Sequence, residues 1–267
     1  MTSAPTTLLL TREDAVLWVR LNRPENGNGI DPVMCAELRT TFEEADADTN
    51  VRAIVVTGVG NDFCTGADLA ANPGASSGGT APLLDYRRSL VPYQELFRVY
   101  WELETPAVSA LKGTIGGAGW MLGLLADLVV AAEGARWIHI FARRGMVPHA
   151  GDPFFLPRIL PFHKLNEVAL TGERFTSETL HEWGAVNRLV PADTVEETAR
   201  ELAVKLAAGP TRSLGQTKRL YRRSLVSDMV TSFAEEAAAT ALLSQTHDRI
   251  EGVRSFIEGR RAVFTGE

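Results

Sequence analysis

Cysteine is nearly absent: Cys35 and Cys64 are the two in 267 residues, and they form neither a CxxC pair nor a His/Cys cluster at metal-ligand spacing. A chain of this kind fits a reducing, cytoplasmic compartment, and neither thiol reads as a strong nucleophile. Basic charge is also short, with 27 Lys and Arg against 33 Asp and Glu, a formal net charge of −6 and no long Lys/Arg run. The electrostatic footprint that nucleic acid or an anionic membrane demands is missing, which leaves small molecules and protein subunits as the expected partners. Nor is there a long uncharged apolar run. The most apolar stretch, Ile115 to Ala132, carries Asp127 and four glycines, whereas a membrane span needs about 20 predominantly apolar residues. Met1 to Thr11 has only Leu8-Leu9-Leu10 as an apolar centre and no basic lead-in, so no export is expected. The histidines at 139, 149, 163, 181 and 247 show no metal-binding pair spacing, and no metal is expected.

What is present is an ordinary globular composition, 45% hydrophobic and 22% charged, long enough for one or two domains. Ala15 to Leu21 reads as a strand, and Asp31-Pro32 supplies an N-cap and first-turn proline for a helix whose buried face is Met34, Leu38, Phe42 and Ala45. Further strands are expected at 52–57, 107–111, 127–132, 136–140 and 185–190. Helices are expected near 163–171, 176–183, 193–208, 211–227, 231–246 and 248–261. Strands alternating with helices indicate α/β architecture, with a strand-rich part at 1–190 and a helical part at 191–267. Ala70 to Pro82, rich in Gly, Ser, Ala and Pro, reads as a surface loop.

Several motifs fail their structural requirements. Gly74-Ala75-Ser76-Ser77-Gly78 satisfies GxSxG but lies in that loop, without the strand before and helix after that a nucleophile elbow needs. Gly117-Ala118-Gly119 begins like a dinucleotide fingerprint, yet Leu122 stands where the last glycine belongs. No GxxxxGK[ST] phosphate loop occurs.

Two glycine-rich blocks each join the end of a strand to a tight turn, Gly58 to Leu69 and Lys112 to Met121. Small residues let backbone approach a ligand closely, and free N–H groups at a helix start present partial positive charge to an oxyanion. Alternatively, the glycines serve only helix and strand packing.

Four segments resemble the crotonase, or enoyl-CoA hydratase/isomerase, superfamily. They are Leu21-Asn22-Arg23-Pro24 with Asn28-Gly29-Ile30, then Phe63 to Leu69, Pro106 to Asp127, and Phe256 to Phe264. The resemblance implies a spiral of ββα units followed by a helical C-terminal trimerisation region, assembled as a homotrimer or a dimer of trimers. It implies an acyl-CoA substrate whose thioester oxygen accepts from the backbone N–H groups of Ala67 and Ala118. Coenzyme A enters as part of the substrate, with no separate bound cofactor, and would lie against Asn26, Gly27, Thr65, Ala67, Asp68, Leu69 and Gly117.

By the same resemblance, the two acid/base glutamates of the hydratases fall at Met121 and Phe141. Neither side chain can move a proton. His149, after Pro148, stands where other branches carry a catalytic carboxylate, and Asp152, three residues on, is expected to orient it. The competing expectation is that Asp152 caps the helix opened by Pro153 and His149 is a wet turn residue. Trp120, Met121, Trp137 and Phe141 are expected to line an apolar acyl pocket. Three classes stay open: an acyl-CoA hydratase or isomerase without the paired glutamates, a carbon-carbon bond hydrolase of cyclic diketones, and a non-catalytic acyl-CoA binding protein.

Overall fold

The computed structural model describes residues 4–71 and 83–267. Leu8–Glu13 (β1) and Val16–Leu21 (β2) pair antiparallel. A strand–strand–helix unit then recurs along the chain. β2 leads to Ile30 and helix α1 (Pro32–Ala47), and Ala53–Gly58 (β3) leads to Cys64–Ala67 and helix α2 (Leu83–Glu102). Ala107–Leu111 (β4) leads to Thr114–Gly116 (β5) and helix α3 (Ala118–Leu124), and Leu128–Ala132 (β6) leads to Arg136–Ile138 (β7).

The first strand of each unit joins a six-stranded sheet of order β1-β2-β3-β4-β6-β9, parallel from β2 onward, in which β9 is Arg188–Val190. The second strands build another layer: β5 pairs parallel with β7, β7 pairs antiparallel with β8 (Arg174–Thr176), and single bridges Cys64 to Ile115 and Ile30 to Ala67 continue it. Each unit therefore adds one rung to two layers, which is the expected ββα spiral. Every residue of β3 and β4 is buried, as parallel strands covered on both faces require.

α1 forms for the reasons its sequence gives: the Asp31 carboxylate accepts the Met34 N–H at 2.7 Å, Pro32 fills the first turn, and Met34, Leu38, Phe42 and Ala45 are buried. The later helices are α4 (Asp152–Ile159), α5 (Phe162–Thr171), α6 (Ser177–Glu182), α7 (Val195–Ala207), α8 (Thr211–Ser224), α9 (Met229–Leu243) and α10 (His247–Glu258). α7 lies on β3, β4 and β6 through the four-residue stripe Val195, Ala199, Ala203 and Ala207. α8 is tied to the sheet by Asp127, whose carboxylate takes Lys218 Nζ at 2.7 Å, Arg222 Nη2 at 2.8 Å and the Ala107 N–H at 2.8 Å. Burial pushes the Lys218 ammonium down to about 8, with Asp127 opposing.

The short strands β5 and β8 and two larger elements, β1 and α2, go beyond the expected set. β1 uses the Leu8-Leu9-Leu10 segment as the edge strand of the main sheet. α2 spans 20 residues with Pro92 inside, and its buried Tyr93, Leu96, Phe97 and Tyr100 do carry a helical spacing. Residues 72–82, with most of the expected loop and the Gly74–Gly78 motif, lie outside the described residues. No helix among the described residues is long and apolar enough to cross a membrane.

Candidate active site

The turn after β2 is built on an unusual backbone. Gly27 and Asn28 both have positive φ, 57° and 54°, a conformation that Asn tolerates better than most side chains. Buried Asn28 is held there by its amide: Oδ1 accepts the Arg23 N–H at 3.0 Å, while Nδ2 donates to the carbonyls of Val59 at 2.9 Å and Asp62 at 2.8 Å. Arg23 closes the other side, donating to the Gly29 carbonyl at 2.6 Å and to Asp68 at 3.0 Å. The Thr65 N–H donates to the Gly27 carbonyl at 3.0 Å, and the Thr65 methyl lies where a Gly27 Cβ would stand, 2.7 Å away.

Gly27 and Thr65 are thus in contact, and Arg23 ties the Asp68 carboxylate to the same turn. Burial, the largest single influence, pushes that carboxyl up, but Arg23 and the N–H groups of Ala71 and Ala70 together hold it below the usual range.

The two glycine-rich blocks meet backbone to backbone. The Gly116 N–H donates to the Cys64 carbonyl at 2.8 Å, and a Cβ on Gly66 would stand 2.9 Å from the Gly116 oxygen and 3.4 Å from Gly117 Cα. Gly66 at φ 110° and Gly117 at φ 45° hold conformations that suit glycine. The residue after each is an alanine. The Ala67 bridge to Ile30 uses the Ile30 and Asp68 N–H groups, so the Ala67 N–H stays outside the ladder. Ala118 is the first residue of α3, where an N–H has no intrahelical acceptor. Neither N–H is hydrogen-bonded among the described residues. Cys64, buried beneath the junction, is raised to about 12 by that burial, so its thiol is no nucleophile.

Around α3, Met121 and Phe141 are both buried. Trp120 and Trp137, expected in an acyl pocket, instead pack edge-on against each other at 5.1 Å with no exposed surface, and Trp137 Nε1 donates to Ser177. They are core residues.

His149 is half-buried with its ring edge-on to Phe141, centroids 4.8 Å apart. Its Nδ1 lies 3.0 Å from the Val147 carbonyl. Because a carbonyl only accepts, Nδ1 carries the hydrogen, which leaves Nε2 as the basic nitrogen of the neutral ring.

Asp152 does not orient His149, and its side chain does not cap α4, whose N-cap is Gly151. Instead its carboxylate accepts from His139 Nε2 at 2.7 Å, with side-chain exposures of 5% and 0%. Helical i, i+3 geometry does not apply to His149 and Asp152 because the helix begins at Asp152, after two left-handed residues, Ala150 at φ 59° and Gly151 at φ 89°. His139 was missed in the sequence. Its one signal is its place three residues after the aromatic-basic segment of β7 begins, which says nothing of a partner across the Phe141–Gly151 excursion. Among the described residues no group of three or more His, Cys, Asp or Glu could hold a metal ion.

Residues 11–267 match the Enoyl-CoA hydratase/isomerase family. A 1,2-epoxyphenylacetyl-CoA isomerase of Escherichia coli K12 is 32% identical over 256 residues, covering 96% of this chain and 97% of that protein. A 2,3-dehydroadipyl-CoA hydratase of the same strain is 32% identical over 259 residues, covering 97% and 98%. The crystal structure of an enoyl-CoA hydratase from Bacillus anthracis superposes with a TM-score of 0.90 at 26% identity, over 98% of this chain and all of that one. Two-layer spiral, glycine blocks and nearly full-length similarity agree, and the chain belongs to the enoyl-CoA hydratase/isomerase, or crotonase, family.

Proposed function

We propose that the protein binds an acyl-CoA thioester with its carbonyl oxygen between the Ala67 and Ala118 N–H groups and stabilises the enolate formed there. The observation that carries this reading is the pair of N–H groups, without a partner among the described residues, that follow the closely packed Gly66 and Gly117. A preorganised donor at a developing oxyanion supplies about 2.7 to 4 kcal/mol. Asn26, Gly27, Thr65 and Leu69 would lie along the coenzyme A portion, with Ala67, Asp68 and Gly117 contributing through the backbone.

Proton transfer falls to His149. Its Nε2 takes a proton from the carbon beside the thioester, the electron pair moves into the carbonyl, and the oxyanion rests on the two N–H groups. Return of the proton to a different carbon completes a double-bond isomerisation. Val147, rather than Asp152, sets the tautomer. Met121 and Phe141 exclude the two-glutamate hydration route, so an isomerisation or related enolate reaction is favoured over simple hydration. The similar proteins include both a named isomerase and a named hydratase.

The same reading includes self-association through 191–267 as a homotrimer or dimer of trimers in the cytoplasm. It is supported by the apolar surface that α9 and α10 leave exposed, including Phe233, Leu242, Phe256 and Ile257.

The test is carbon-13 NMR of a carbonyl-labelled acyl-CoA bound to the protein. A downfield shift of the carbonyl relative to free thioester supports polarisation by the two donors, and an unshifted carbonyl in a saturated complex overturns it.

A further inference from the structure

The segment that carries His149 is strained. Ala150 sits at φ 59° and is buried, and Gly151 follows at φ 89° with its Cα against the Phe155 ring, so that a Cβ there would stand 2.5 Å from a ring carbon. A left-handed conformation is unfavourable for alanine, and such strain persists only where the surroundings over-determine it. On its helix side the turn is held by the Gly151 carbonyl, which accepts the Phe154 and Phe155 N–H groups at 2.9 and 3.0 Å, whereas at His149 the backbone bond is long, the Asp152 N–H reaching that carbonyl at 3.3 Å. The strong contact is the Asp152 side chain on His139 at 2.7 Å, both buried.

His139 directly follows β7, whose last carbonyl, that of Ile138, accepts the Gly117 N–H at 3.0 Å. One short path therefore joins Ala118, Gly117, Ile138, His139, Asp152 and the His149 turn. An ionisable pair is a costly way to fill this space, since two apolar side chains of similar volume often do as well or better. His139 Nδ1, moreover, has no partner among the described residues. What the pair adds over an apolar filling is direction.

We propose that His139 and Asp152 form a positioning latch that holds the strained His149-Ala150-Gly151 turn in register with the Ala67 and Ala118 donors. The proposal rests on the role given to His149 above. Neither latch residue touches substrate.

The test is hydrogen–deuterium exchange by mass spectrometry, read over 146–156 and over β3, β4 and β6, together with turnover of an acyl-CoA that the wild-type protein converts. In Asp152→Ala, exchange over the turn rises tenfold or more while the strands keep their protection, and kcat falls by a similar factor with KM within twofold. Asp152→Asn, which keeps an oxygen acceptor for His139, stays near wild type. Ala150→Gly added to Asp152→Ala restores protection, because glycine takes the left-handed conformation without the latch. If Asp152→Ala does not fold, His139→Leu with Asp152→Leu keeps an apolar filling and shows the same turn-specific loss. Unchanged exchange, or exchange that rises uniformly through the protein, overturns the latch. His149→Ala measured alongside separates the two failures: full turnover there removes the turn's purpose and the proposal with it. An inactive His149→Ala beside unchanged exchange in Asp152→Ala overturns the latch alone.

Discussion

The Phe141 ring meets the His149 imidazole edge-on, with planes at 72° and centroids 4.8 Å apart. On the reading proposed above, a hydrocarbon ring stands where the resemblance puts a hydratase carboxylate, and the imidazole packs on that ring. Hydration of crotonyl-CoA should be slow, because a general acid and a general base each contribute about 10² to 10⁴-fold. Loss of the conjugated thioester absorbance is expected to run at least about 10³-fold below a two-glutamate hydratase assayed in parallel. Comparable rates would mean that other groups replace both glutamates.

His149→Ala should lower the rate on any converted acyl-CoA by about two to four orders of magnitude. Affinity for the thioester should change little, since the backbone donors remain; kcat and KM measured under conditions where chemistry limits the rate separate the two. His149→Ala with nearly full kcat would return the residue to a turn role.

Much of this was legible in the sequence. Asp31-Pro32 announced α1, and the glycine blocks announced the two backbone turns, because capping, proline and glycine chemistry are local. Local reading stopped at tertiary partners. Spacing alone paired Asp152 with His149, but Gly151 at φ 89° ends that geometry and turns the carboxylate toward His139, thirteen residues away. Trp120 and Trp137 were apolar bulk in the right segments, yet which face of α3 and β7 they occupy depends on the layer behind them. α2 carried its helical stripe in Tyr93, Leu96, Phe97 and Tyr100, but Pro92 stands inside that helix, and proline locally argues against a helix interior.

Gly66→Ala should damage both fold and site. A methyl group there would stand 2.9 Å from the Gly116 oxygen at a φ of 110°. Strain of this kind costs on the order of 1 to 3 kcal/mol. Thermal unfolding should fall by several degrees, and acyl-CoA affinity by isothermal titration should weaken, because the clash pushes Ala67 away from Ala118. Unchanged affinity would show that this contact does not set the donor pair.

Lys218 gives a pH signature. Burial lowers its folded pKa from 10.5 to about 8, so between these values the unfolded chain binds the extra proton and stability gains with rising pH from this group. Below about pH 8 the penalty is complete. Lys218→Met removes the term while Arg222 still pairs with Asp127 at 2.8 Å. Denaturant unfolding from pH 7.5 to 10.5 should therefore show a stability difference, wild type minus variant, that grows with pH. A difference that is flat or falls with pH would contradict the assignment.

The function proposed here stands on two backbone nitrogens, and a crystal structure with an unreactive acyl-CoA analogue locates them against the ligand. The thioester, or the carbonyl oxygen that replaces it, should lie about 2.7 to 3.1 Å from both Ala67 N and Ala118 N, with His149 Nε2 facing the adjacent carbon. An oxygen that reaches neither nitrogen, in a fully occupied complex, would contradict it.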